Sequence, residues 1–176
     1  DAVIVFEGEQ TDVAVGASYD DSLIDGVDDT TGLGRHFVSR SIDFYHSERF
    51  QMLADGELVK IDVPDDASSG VYREWLTIRP RTDWEVDGAI YPAGSLLVAK
   101  YDDYLAGDRT LTTIFAPDAH TSLEQATWTR NHLLLVTLTD VHTEVYALTP
   151  GENGWEKTAI EGIPELTNSG VIATDA

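Results

Sequence analysis

The groups in this 176-residue chain that could move a proton or hold a cation are five histidines and 32 carboxylates. The histidines are His36, His46, His120, His132 and His142. A serine nucleophile on a strained strand-to-helix turn needs Gly-x-Ser-x-Gly, because only small residues fit that turn. The nearest match, Gly16-Ala17-Ser18-Tyr19-Asp20, ends in Asp and is followed by no helix-like stretch. No spacing of Ser, His and Asp selects a triad. A metal centre needs ligands converging from one face, and there is no His-Glu-x-x-His. If the stretches on either side of Asp140-Val141 pair as a hairpin, Thr139 faces His142 and His132 faces Thr149. Those two histidines then stand at opposite ends of the pair. Adjacent acids occur at Asp20/Asp21, Asp28/Asp29, Asp65/Asp66 and Asp102/Asp103. A glycosidase uses two carboxylates about 5 to 9 Å apart, and chain neighbours in loops do not report that separation. The acidic spacing in Ser18–His36 does not match a calcium loop, which has glycine at its sixth position and a terminal glutamate. There is no phosphate loop and no dinucleotide glycine pattern. The residues therefore assign no catalytic, cofactor-binding or metal-binding position.

Composition narrows the partners. The 32 acidic residues face 11 basic ones, only three of them lysine (Lys60, Lys100, Lys157), for a net charge of −21. Such a field repels phosphate backbones and anionic lipid, so neither nucleic acid nor a membrane surface is expected as a partner. Apolar content is 42%, enough for a packed core, and no run reaches the roughly 18 apolar residues of a membrane span. With no cysteine there is no disulfide and no thiolate chemistry, which points to a non-oxidising compartment such as the cytoplasm. The opening Asp1-Ala2-Val3-Ile4-Val5 has no methionine and already reads as strand, as expected of a piece of a longer chain.

The elements that would position these groups are all short strands. Residues 121–160 are the clearest: Ser122–Thr127, His132–Thr139, Thr143–Leu148 and Trp155–Ile160, with turns at Asp140-Val141 and Asn153-Gly154. Leu133, Leu134, Leu135, Val136 and Leu138 leave the second strand no polar face, so this antiparallel sheet is expected to be covered on both sides. A β-propeller does that with repeated units of about 40 residues.

The same unit recurs upstream. Ala2–Glu7 and Asp12–Gly16 read as strands, then Ser18–His36 as a long acidic loop. Phe37–Phe44, Arg49–Leu53 and Glu57–Val63 are further strands, and Pro64–Gly70 reads as loop. Tyr72–Arg79 opens the next unit and is closed by Pro80. A small hairpin of Thr82–Val86 and Ala89–Tyr91 follows, then Ser95–Lys100, one helical turn within Tyr101–Asp108, and the strand Thr110–Phe115. Gly170–Ala173 resembles the start of another unit. The expected fold is all-β, with little or no helix. It is a single partial propeller segment over 1–176, made of about three four-stranded antiparallel meanders near 11–63, 72–116 and 121–160. The aromatics Phe44, Tyr45, Trp75, Trp84, Trp128 and Trp155 have two readings, a platform for a ligand or, the more common use near strand ends, staples of one blade to the next.

Four stretches are more particular than a generic repeat: RSIDFYHSERF (40–50), GELVKIDVPDDAS (56–68), TDWEVDGAIYPAGSLL (82–97) and TWTRNHLLL (127–135). Over nearly all of residues 1–165, in order, the chain resembles the N-terminal propeller of the prolyl oligopeptidase family of serine peptidases. That resemblance implies a seven-bladed propeller over an α/β-hydrolase domain, with the propeller admitting short peptides. The triad Ser, Asp and His belong to the hydrolase domain, which is absent here, so no catalytic residue is carried onto this chain. The chain matches about three consecutive blades. The partners implied are the missing hydrolase domain and, in the parent, a peptide substrate. Three blades leave two outer faces, so self-association through them is expected. Two other functions fit a β-repeat chain: a stand-alone module binding through the 18–36 loop, and a propeller glycosidase using paired carboxylates.

Overall fold

The computed structural model describes residues 4–21, 34–151, 154–162 and 170–171. Three four-stranded antiparallel sheets follow one another along the chain. Strands β1 (Ala14–Asp20), β2 (Arg35–Ser41), β3 (Ser47–Met52) and β4 (Leu58–Lys60) make the first, in that order. The second contains β5 (Ser68–Tyr72), β6 (Trp75–Arg79), β9 (Leu96–Lys100) and β10 (Thr112–Phe115). Between β6 and β9 the chain makes a separate hairpin of β7 (Trp84–Val86) and β8 (Ala89–Tyr91). The third sheet is β11 (Thr121–Trp128), β12 (Leu133–Thr139), β13 (His142–Gly151) and β14 (Gly154–Ala159). The helical turn is α1 (Tyr101–Leu105), between β9 and β10. The fold is all-β, a partial propeller of three meander blades.

Alternation explains why the sheets stack. On β9, Leu97 and Ala99 join Leu76, Ile78 and Tyr101 in a core with Phe37 and Ile61 of the first blade. The intervening Leu96 and Val98 point the other way, into a core with Leu123, Leu133, Leu135 and Leu148 of the third. A strand buried on both faces has no polar side, and each large side chain so buried contributes about 1.5–3 kcal/mol relative to exposure. The run on β12 follows the same rule. Leu133 and Leu135 face the second blade, and Val136, on the opposite face, is only 1% exposed. The hairpin register places Thr139 opposite His142 and extends to His132 opposite Thr149, where the imidazole Nδ1 meets the hydroxyl at 2.8 Å.

Several boundaries differ from the sequence reading. Ile4–Glu7 forms no strand; Phe6 alone of its apolar residues packs on the first sheet, 5.6 Å from Phe50, while Ile4 and Val5 are exposed. Ser18, Tyr19 and Asp20 belong to β1 and not to a loop, because Phe37, His36 and Arg35 pair with them. Ser68–Tyr72 is a strand although Ser-Ser-Gly has little β propensity: β6 supplies the ladder, pairing Gly70 with Thr77. The stretch expected as one strand from Tyr72 to Arg79 is split by a tight turn in which Arg73 takes φ 51°. Asn153, expected in the β13–β14 turn, lies outside the described residues; Gly151 pairs with Gly154, whose φ of 124° suits glycine. The loop residues Ser22–Leu33, with Asp25, Asp28 and Asp29, and the Ile172–Ala173 part of the expected next unit also lie outside them.

Candidate functional site

A meander sends its connections alternately to opposite ends of the sheet. At one end lie the β2–β3 turn (42–46), the β4–β5 connection (61–67), the β7–β8 hairpin and the β12–β13 turn (140–141). At the other lie the β3–β4 and β5–β6 turns, α1 and the β11–β12 turn. The two ends differ in chemistry.

The first end exposes large apolar side chains from all three blades. Phe44 is 89% exposed, Tyr45 66%, Ile90 66% and Val141 64%. Among the described residues the other exposed large apolar side chains are Ile4, Val5, Val13, Val15 and Tyr19, in β1 and the segment before it, and Ile160 just after β14. Four such side chains thus stand exposed at one end of a chain with a charge of −21.

The Phe44-Tyr45 tip is held rigidly. The Asp43 carboxylate accepts the backbone N–H groups of Tyr45 (2.7 Å) and His46 (2.9 Å), and lies 2.8 Å from the His46 ring. Those backbone donors, the Tyr45 N–H foremost, hold the Asp43 carboxyl below the usual carboxylate range. The Asp43 hydrogen bond, with the charges of Asp65 and Asp66, raises the His46 imidazole. The Ser47 N–H donates to the Asp65 carbonyl at 2.7 Å, tying the turn to the link between the first two blades. Beside the tip is an open cleft of about 370 Å³, lined by Asp43, Tyr45, His46, Asp66 and Arg81 among others. Arg81 sits over the Tyr45 ring, 5.7 Å from its centre.

His46 and Asp43 form an acid–imidazole pair, yet no serine hydroxyl is hydrogen-bonded to that ring among the described residues. His120 pairs with Asp140 at 3.0 Å at this end of the third sheet, whereas His132 pairs with Thr149 at the other end. The cleft beside His46 is also lined by Ser41, Ser47, Ser68 and Ser69, but none of these hydroxyls is hydrogen-bonded to the His46 ring among the described residues. Asp43, Asp108 and Asp118 are all held below the ordinary carboxylate value by hydrogen bonds they accept, the opposite of what a general acid needs. Of the acidic pairs, Asp20 and Asp102 both approach Arg35, at 3.4 and 3.6 Å, and Asp66 accepts the Thr82 hydroxyl. Among the described residues no three potential ligands come together as a metal site. Gly16-Ala17-Ser18-Tyr19-Asp20 lies within β1, extended and far from any nucleophile turn.

The second end is structural. Tyr72 stacks on Trp128 (5.3 Å, 13°), and Trp75 meets Trp155 at 4.8 Å, so these aromatics join the second blade to the third. Arg35, buried, donates to the Arg73 carbonyl at 2.6 Å, and its guanidinium lies 4.8 Å from the Tyr101 ring centre. Tyr101 donates its hydroxyl to Gln51 at 2.7 Å, and burial pushes that phenol well above its ordinary value. The six aromatics named in the sequence thus divide: Trp75, Trp128 and Trp155 staple blades, Trp84 packs on Tyr91 within the extra hairpin, and only Phe44 and Tyr45 are presented outward. Their adjacency on a turn, without an apolar partner on the neighbouring unit, was the available signal.

No family model matches the chain. It is 28% identical over 182 residues to an uncharacterized peptidase of Sinorhizobium fredii, an alignment covering 99% of this chain and 24% of that protein. An uncharacterized peptidase of Rickettsia prowazekii is 26% identical over 135 residues, covering 73% of this chain and 19% of its own length. The fold superposes on a post-proline cleaving enzyme from Rickettsia typhi with a TM-score of 0.75 and 23% identity, over 89% of this chain and 23% of that one. The chain spans about a quarter of the length of these proteins. By class it is a three-blade β-propeller segment related to peptidases. More particularly, its resemblance to the N-terminal propeller portion of the prolyl oligopeptidase family, expected from residues 40–50, 56–68, 82–97 and 127–135, is supported by both the relatives and the shared fold.

Proposed function

We propose that this chain is a non-catalytic propeller segment of a prolyl-oligopeptidase-like serine peptidase, where it forms part of the wall that selects peptides for a hydrolase domain outside these residues. The observation that carries this reading is the alignment of almost the whole chain with about a quarter of a protein named as a peptidase. A rigid stack of sheets can act by excluding bulky substrates without touching the reacting atoms. The apolar end bearing Phe44, Tyr45, Ile90 and Val141 is, in this reading, the face turned toward the hydrolase domain. The test is a chromogenic proline peptide offered to the 176-residue chain and to the intact polypeptide that contains it. Turnover by the intact protein alone is expected; proline-specific cleavage by the isolated chain overturns the reading.

A further inference from the structure

Carboxylates outnumber basic groups 32 to 11 in this chain, so an arginine without one is unusual. Arg35, Arg40 and Arg109 reach Asp20, Asp12 and Asp62 at 3.4, 2.8 and 2.9 Å, and Arg79 donates to the Leu123 carbonyl. Arg49 and Arg81 differ. Neither guanidinium is paired with a carboxylate or hydrogen-bonded to an acceptor among the described residues. Both lie over aromatic rings instead, Arg49 at 4.1 Å from the centre of Phe37 and Arg81 at 5.7 Å from that of Tyr45. Both also line the cleft of about 370 Å³ beside the Phe44-Tyr45 tip.

This cleft lies where the first blade meets the second. Ser39 of β2 and Arg49 of β3 stand opposite one another in the ladder, on the face that carries Phe37 into the shared core. Ser68 and Ser69 of β5 belong to the wall supplied by the second blade. Arg49 is half-buried, and Phe37 beneath it is buried. Burial lowers the Arg49 pKa, so the site holds a cation that water stabilises poorly. The acids of the cleft are committed elsewhere. Asp43 is bonded to its own turn and to His46, Glu48 lies 2.6 Å from Lys60, and Asp66 accepts the Thr82 hydroxyl at 2.8 Å. A guanidinium stacked on a ring keeps its planar fork of N–H donors open at the edge, the geometry that takes a carboxylate through two parallel bonds.

We propose that the cleft between the first two blades is a carboxylate-binding site, with Arg49 as the contact inside it and Arg81 at its rim. The chain as a whole repels anions, so unpaired guanidinium groups favour carboxylate binding at this place over the rest of the surface. The rings of Phe44 and Tyr45, which line the same cleft, offer an apolar wall to a side chain next to the bound carboxylate. The ligand that combines these features is the C-terminus of a short peptide ending in an apolar residue. The carboxylate chemistry stands on the two arginines alone; the choice of a peptide as its carrier rests on the peptidase reading.

Isothermal titration calorimetry with N-acetyl-alanyl-phenylalanine tests this on the 176-residue chain and on the intact polypeptide that contains it. Saturable binding of the free acid is expected in both, and none of its C-terminal amide. Arg49→Gln is expected to weaken binding about 10- to 100-fold, and Arg81→Gln about two- to fivefold. Arg49→Lys, which keeps the charge without the fork, is expected to recover only part of the loss. Arg81 lies outside every strand, so its variant keeps the test open if the Arg49 variants do not fold. A peptide blocked at both ends but carrying a glutamate side chain separates the two sources of carboxylate; binding equal to that of the free acid would give the site to acidic side chains and overturn the choice of a terminus. Absence of binding to the wild type, equal binding of acid and amide, or folded Arg49→Gln and Arg81→Gln variants that bind like the wild type overturn the proposal. Binding to the 176-residue chain but not to the intact polypeptide also overturns it, by showing that a carboxylate of the remaining polypeptide fills the cleft. Because binding is read without turnover, an intact protein that cleaves no peptide would remove the peptidase reading and leave the carboxylate site standing.

Discussion

Arg79 on β6 donates through Nη2 to the backbone carbonyl of Leu123 on β11, 2.6 Å away across the junction of the second and third blades. The bond joins two sheets whose shared core is apolar, and it satisfies a carbonyl at the register shift between Leu123 and Gln125, where the ladder is irregular. Arg79→Met keeps the stem's packing but leaves that carbonyl without its charged donor. Urea unfolding is expected to show a loss of about 1–3 kcal/mol. Arg79→Lys, a single-point donor, is expected to recover part of it. A Met variant as stable as wild type would remove the bond from the account of the junction.

Tyr104 gives the chain a sensitivity to alkali. Its hydroxyl donates to the Asp62 carbonyl at 2.6 Å, and burial pushes the phenol from 10.0 up to about 12. A group whose folded-state value is raised contributes stability that is fully present below pH 10 and is lost as pH rises toward 12. Thermal unfolding followed between those values is expected to show a falling midpoint, with a shallower fall in Tyr104→Phe. Tyr101, whose phenol is also raised by burial, adds to the same slope, so Tyr101→Phe is expected to flatten it independently.

The fold was legible where local chemistry and tertiary context agree. Asp140-Val141 turns as expected, and the register it sets carries to the far end of the hairpin at His132 and Thr149. It was illegible where a neighbour supplies what the segment lacks. Ser68–Tyr72 has no strand pattern and is a strand because β6 pairs with it; the turn after it runs through Arg73, a residue type that announces no positive φ. Ile4–Glu7 fails in the opposite direction: it reads as strand but pairs with none, and only Phe6 packs, on Phe50. The candidate site shows the same limit. Composition does not distinguish Trp75, a blade staple, from Tyr45, an outward residue, because the difference lies in whether an adjacent sheet provides a partner ring.

The Asp43–His46 turn is expected to be most ordered in a bounded pH window. The Asp43 contribution is present above its unfolded value of 3.8 and is lost as pH falls through its lowered folded value. The His46 contribution is fully present below 6.5 and is lost as pH rises through its raised folded value. A proton NMR titration of the His46 ring reads this directly. Asp43→Asn is expected to move the His46 midpoint down toward 6.5 and to broaden the Tyr45 amide. A midpoint unmoved by the substitution would assign the shift to Asp65 and Asp66 alone.

Thr137 on β12 tests the two-sided burial of that strand by sign rather than by size. It is 1% exposed, and its Oγ1 has no hydrogen-bond partner among the described residues. It sits on the face that carries Leu133 and Leu135 into the core with the second blade, so it interrupts an apolar row with a hydroxyl. A buried, unpaired hydroxyl costs roughly 1–3 kcal/mol, and Val has nearly the same shape without it. Thr137→Val is therefore expected to raise the urea midpoint, an uncommon direction for a core substitution, while Leu135→Ala on the same face is expected to cost about 2–5 kcal/mol. If Thr137→Val destabilises while Leu135→Ala behaves as expected, the hydroxyl has a partner in the folded chain.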